Sequence, residues 1–238
     1  GLVPLVYFAR PNTSRLRFVK AKLELKPILA ACANGSSELL TNVSSSIVSM
    51  LYNMQLMRFY GEDGVSAYGV LMYVQLVFLA IEIGYSIGVS PVVSYNYGAQ
   101  NTKELKNLFK KSMISMGIGG VLLAALAELL AVPLAHIFVG YDKTLFDLTV
   151  HAFRLYSFVF VFSGINIFSS GFFTALNNGL VSAILSFLRA LVFQTIFVFL
   201  LPALFKAEGI WFATIATEAF AFATAVFFLV FMRKKYNY

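Results

Sequence analysis

Apolar residues run along this chain in long blocks separated by short polar connections. Six blocks reach the roughly 20 residues that a helix needs to cross the hydrocarbon of a bilayer. They cover about 27–59, 64–98, 108–139, 145–175, 180–205 and 208–232. The first two exceed one crossing, which predicts tilt or extension past the bilayer. Residues 1–9, GLVPLVYFA, are too short to span and read as the end of a preceding transmembrane helix. Residues 10–26 set six Lys/Arg among Leu16, Phe18, Val19, Leu23 and Leu25. Both a basic cytoplasmic linker and a short amphipathic helix on the membrane surface fit that pattern. The predicted fold is therefore an all-α integral membrane lobe of six transmembrane helices at 27–238. The start at Gly1, inside an apolar run, reads as the later part of a longer protein.

Several blocks carry more polar groups than lipid-facing helices tolerate. Between Asn34 and Ser49 stand Glu38, Thr41, Asn42 and six serines, so this helix must face protein or a water-filled cavity on one side. The stretch Glu82–Lys111 has an acid, a Gly84-x-x-x-Gly88 pair and Pro91 in its apolar half. It then leaves through Tyr95, Asn96, Tyr97 and Gly98 into a lysine-bearing turn. A glycine pair lets helices approach closely, and a proline frees a backbone carbonyl that neighbours must satisfy. In the fourth block, Ser163, Asn166 and Ser170 recur at helical spacing as a polar stripe among phenylalanines. Gly171-x-x-x-Ala175 offers a second close approach.

Composition agrees: 59% of the residues are hydrophobic and 12% charged, about half the charge of a soluble domain. Mean hydropathy is +0.80. The positive excess lies in the connections: six Lys/Arg in 10–26, four in 101–111 and three at Arg233–Lys235, against Arg58, Lys143 and Lys206 on the alternate side. That bias places the linker, the lysine turn and the C-terminus in the cytoplasm. A multi-pass membrane protein follows, and a nucleic-acid binder does not, because no basic folded face is implied. The single cysteine, Cys32, forms no internal disulfide. His136 and His151 have no metal-site spacing, and no catalytic set or cofactor motif can be assembled. The chain reads as no enzyme.

The candidate chemistry is then a handful of buried polar groups. A charge at mid-bilayer costs ~2.5–3.5 kcal/mol on insertion scales, so each needs a partner or a purpose. Glu38 has Asn42 one turn on, on the same face, and the pair suits a proton or a sodium ion. A neutral Glu38 gluing helices is the competing reading. Glu82, with Gln75 two turns earlier and Tyr85 beside it, is equally open to a coupling or a packing role. Glu218 lies beyond Trp211 with Thr214 and Thr217 nearby, and Glu128 lies near an outer helix end, facing water. Arg189, in SFLRALVF, pairs with an acid, contacts substrate or snorkels to the interface. Gln75, Tyr85, Asn166, Arg189 and Glu218 make up a candidate substrate cavity.

At GYSIGVSPVVSYNYGAQNTKELK the chain resembles the MATE (multidrug and toxic compound extrusion) family, through Gly84, Gly88, Pro91, Tyr95, Asn96, Gly98 and Ala99. GSSE at 35–38 and GIWFATIATE at 209–218 agree with it. SSGFFTALNNG, with the Arg189 segment after it, resembles the bacterial multidrug branch. The resemblance implies one lobe of a twelve-helix transporter, with an N-terminal six-helix lobe as partner. Members with a cation site in this lobe use an acid in its first full helix, which Glu38 matches. They also use an aspartate where this chain has Ser163. The resemblance implies an antiporter exporting organic, cationic compounds in exchange for Na+ or H+, with Glu38, Asn42, Glu82 and Ser163 as coupling residues. Any Na+ would sit at Glu38. Two other readings stand beside it: a lipid-linked oligosaccharide flippase of the same superfamily, and a membrane scaffold that transports nothing.

Overall fold

A computed structural model describes residues 2–9 and 24–238, with the side chains at 2–5, 27, 33, 34 and 36–38 excepted. The linker proposed at 10–26 therefore falls almost entirely outside the described residues, and so does the Glu38 side chain. The chain divides into two units, Gly1–Cys32 and Ala33–Tyr238. The first holds helix α1 (Leu2–Ala9) and the opening turns of α2.

The second unit is helical throughout its length, with no strand among the described residues. Helix α2 runs from Leu25 to Gly98 and is broken at Gly61 (φ 63°, ψ −147°), a backbone conformation open in practice to glycine. This break separates the first two predicted crossings. Each arm is longer than the ~30 Å hydrocarbon requires at 1.5 Å per residue. Then come α3 (Thr102–Val139), α4 (Lys143–Ser157), α5 (Val159–Ala175), α6 (Gly179–Phe187), a π-helical turn (Leu188–Phe193), α7 (Gln194–Phe205) and α8 (Glu208–Tyr236).

Three details differ from the sequence pattern. The lysines at 103–111 stand in the first turns of α3 rather than in a loop. Asn101 caps α3 by accepting the Glu104 N–H at 3.2 Å. With 38 residues α3 outruns the bilayer, and its lysine-bearing end extends beyond it. The block 145–175 is not one straight crossing, because α4 and α5 meet at Phe158 with a 46° bend. There the Ser157 hydroxyl lies 2.7 Å from the Arg154 carbonyl, competing with the helical ladder where no proline is needed to break it. The block 180–205 carries the π-helical turn, which widens the helix around Arg189.

The apolar residues form two clusters. One gathers Tyr52, Leu56, Leu71, Phe78, Ala127, Phe153, Phe160, Val198 and Ile210. The other gathers Val93, Leu105, Met116, Phe168, Phe172, Leu185, Ala225 and Leu229. On α2, α5 and α8 buried polar residues fall between the two. Glu82 lies between Phe78 and Val93, Ser163 and Asn166 between Phe160 and Phe168, and Glu218 between Ala213 and Ala225. Between the two clusters lies a polar waist.

Helix α5 organises that waist. The predicted stripe reaches three helices: Ser163 donates to Glu82 of α2 at 2.7 Å, Asn166 bonds Glu218 of α8, and Ser170 meets Ser182 and Ser186 of α6, each at 2.9 Å. Glycines allow close approach between helices, among them Gly120 and Gly171. A Cβ on Gly120 would stand 2.6 Å from the Phe160 carbonyl oxygen, and one on Gly171 would strike Ser86 Oγ. The expected approach at Gly84 and Gly88 is absent among the described residues. Nothing lies within 4 Å of a Cβ at either, because both glycines project from the exposed side of α2.

Candidate functional site

The waist opens into a cavity of about 540 Å³ walled by both arms of α2, by α4, α5, α6, the π-helical turn, α7 and α8. Its lining mixes apolar groups (Met72, Leu76, Leu79, Ile167) with polar ones, and its charged members are Arg189 and Glu218. Arg189 Nε donates to both Glu218 carboxylate oxygens, at 2.9 and 3.0 Å. Asn166 Nδ2 donates to Glu218 Oε2 at 2.7 Å and to the Glu218 carbonyl at 3.0 Å. Glu218 is 4% exposed, so its charge is compensated by partners rather than by water. Of the pairings open to Arg189, the structure selects the one with Glu218. The two residues stand 29 apart and meet because the π-helical turn aims Arg189 across to α8.

The cavity also brings in Gln75 and Asn42. Gln75 Oε1 and Asn166 Oδ1 are buried and accept no hydrogen bond from any described residue. Tyr85 is a correction. It donates to Ser112 at 3.2 Å and lines a separate pocket of about 270 Å³ between α2 and α3. At 100° per residue it points well away from the Gln75–Leu79–Ser86 face that borders the cavity. Glu82 lies in that smaller pocket too, walled largely by Ile81, Met116, Gly119, Gly120 and Leu122. Glu82 is 2% exposed, takes the Ser163 hydroxyl on Oε2, and leaves Oε1 without a donor among the described residues. Gly164 makes room for that oxygen, which lies 3.2 Å from where a Cβ would be. The predicted coupling residues thus divide: Glu82, bonded by Ser163, lines one pocket, and Asn42 lines the other.

Sequence reasoning missed one corner of the cavity. The Tyr52 hydroxyl donates to Gln194 Oε1 at 2.9 Å and lies 2.9 Å from Thr214 Oγ1, tying α2, α7 and α8. Its ring stacks on Tyr68 across the Gly61 break, at 5.3 Å between centroids and 2° between planes. A lone tyrosine and a lone glutamine inside apolar helices carried no spacing that would join them. Glu128 behaves as a water-facing residue. It is half exposed, 3.6 Å from Arg154 Nε, and accepts the Ser157 hydroxyl.

Membrane-length apolar helices that gather their polar groups around a cavity at mid-depth define a membrane-transporter lobe. The chain belongs to the MatE family, whose model matches residues 39–200. It is 24% identical over 203 residues to the probable multidrug resistance protein YoeA of Bacillus subtilis (strain 168), covering 83% of this chain and 43% of that protein. Its fold matches a MATE transporter solved in complex with MaL6 (TM-score 0.83, 17% identity, 94% of this chain and 50% of that one). It also matches the outward-facing conformation of a multidrug resistance MATE family transporter (TM-score 0.80, 19% identity, 92% and 49%). The chain thus spans about half the length of the proteins it matches. The protein is a multi-pass membrane protein of a transporter family rather than an enzyme.

Proposed function

We propose that this chain is the C-terminal lobe of an antiporter that exports organic, cationic amphipathic compounds in exchange for Na+ or H+. Its partner is an N-terminal six-helix lobe, and its C-terminus lies in the cytoplasm of a bacterial inner membrane. The observation that carries this reading is the cavity of about 540 Å³, mostly apolar with a few polar groups set into its wall, walled by helices long and apolar enough to cross a bilayer. Apolar walls take a hydrophobic body, and a few convergent polar groups orient its head. Support for ion coupling is the Glu82–Ser163 pair, a carboxyl held at depth with one oxygen unengaged. Glu38 and Asn42 complete the set, Glu38 on sequence grounds alone. In the mechanism, cation binding at the acids favours the outward-open, substrate-released state of two rocking lobes.

The test is efflux of a fluorescent organic cation from proteoliposomes of the intact protein, driven in turn by a proton and a sodium gradient. Glu82→Gln is expected to lower gradient-driven efflux about tenfold or more, equivalent to ~1.4 kcal/mol or more in the transport barrier. Undiminished efflux in both gradients would remove Glu82 from coupling.

A further inference from the structure

The hydrogen bonds around the cavity are unevenly used. Both Glu218 carboxylate oxygens are engaged, since the single Arg189 Nε–H is shared between them and Asn166 Nδ2 donates to Oε2. Arg189 is only partly engaged. A guanidinium carries five N–H donors. Only Nε is engaged, and the four N–H groups on Nη1 and Nη2 bond to no described residue. The side chain is 23% exposed, and Arg189 lines the cavity. The salt bridge therefore compensates the acid through Nε and leaves the outer fork of the arginine without a partner among the described residues. Nearby, the acceptors without donors are the amide oxygens of Gln75 and Asn166. A substrate that is purely a cation would leave the arginine fork unmet.

We propose that the cavity selects zwitterionic amphipaths, molecules in which an oxyanion (carboxylate or phosphate) accompanies the ammonium group. The oxyanion docks in bidentate fashion on Arg189 Nη1 and Nη2, the geometry for which the planar guanidinium is preorganised. Glu218 is a positioning residue in this arrangement: by holding Nε it fixes the plane of the fork. Asn166 holds Glu218 in turn. The π-helical turn supplies the reach, because a widened turn carries Arg189 into the cavity wall where a regular helix would rotate it elsewhere. The proposal rests on the export reading for its substrate, but the binding itself does not require transport.

The experiment uses the intact protein in lipid nanodiscs with two dyes of the same body: a rhodamine with a free benzoate, and the methyl ester of that dye. Fluorescence anisotropy should show the free acid bound about tenfold or more tighter than the ester, the worth of a charge-assisted hydrogen-bond pair. Arg189→Gln should abolish that preference by weakening the acid and leaving the ester unchanged. Because removing Arg189 alone strands a buried carboxylate, the double variant Arg189→Gln/Glu218→Gln is measured beside it and should bind both dyes equally. Arg189→Lys, which keeps the charge but loses the fork, should retain only part of the preference. Hexanoate and hexyl phosphate as competitors tell which oxyanion the site favours, and competition by neither overturns the proposal. It is equally overturned if the ester binds as tightly as the acid, or if the double variant keeps the preference. Binding preference without gradient-driven efflux would sink the export reading alone, and efflux without preference would sink this one alone.

Discussion

Replacing Gly171 with alanine isolates the contact that holds α5 against the second arm of α2. The new Cβ would strike Ser86 Oγ, while the next atom, Ser86 Cβ, stands at 3.8 Å, an ordinary van der Waals distance. The whole conflict is thus one hydroxyl. Ser86 sits mid-helix, where χ1 has few alternatives to turn into, so the helices must separate or the side chain must leave its rotamer. Overpacking of this kind costs ~1–3 kcal/mol. Ser86→Ala removes the obstructing atom, so the Gly171→Ala/Ser86→Ala double variant should recover most of that loss. The expected signature is a coupling of ~1–3 kcal/mol in a double-mutant cycle. Gly120→Ala is the internal control. Its Cβ would meet the backbone carbonyl of Phe160 at 2.6 Å, which no side-chain truncation relieves. The assay is unfolding free energy in mixed micelles, with dye binding as a second readout because Ser86 and Gly171 both line the cavity. A cost below ~0.5 kcal/mol for Gly171→Ala, or no rescue by Ser86→Ala, would refute the close approach as drawn.

Other substitutions probe other links. Gly61→Ala meets no steric neighbour but forces a side chain into a glycine backbone region, for ~1–3 kcal/mol, and thermal denaturation should show it despite the open space. Gly84→Ala and Gly88→Ala should be neutral or stabilising by up to ~1 kcal/mol each through helix propensity; a loss of stability in the intact protein would show that face to be packed. Arg154→Ala breaks an ion pair whose partners are about half exposed, so a melting curve should place its cost within ~0.5 kcal/mol.

The membrane class, the crossings and the candidate residues were legible in the chain because burial in lipid is a per-residue constraint. A charge in an apolar block announces itself wherever it lies, and Glu82, Arg189 and Glu218 did so. The break between the blocks 145–175 and 180–205 was legible for a similarly local reason: Asn177 takes a positive φ and Asn178 caps α6. What stayed hidden was the sharing of partners. Arg189 had several acids to choose from, and a π-helical turn made the choice. Glu82 and Gln75 lie two turns apart, and a modest rotation around the axis sends them into different pockets. Gly84 and Gly88 had the motif for close packing and found no neighbour, while Gly120 and Gly171 found theirs. Lipid solvation thus acts on each residue alone and can be read from the chain. The direction of a side chain within the bundle depends on the relative rotation of several helices, which is settled only when they pack together.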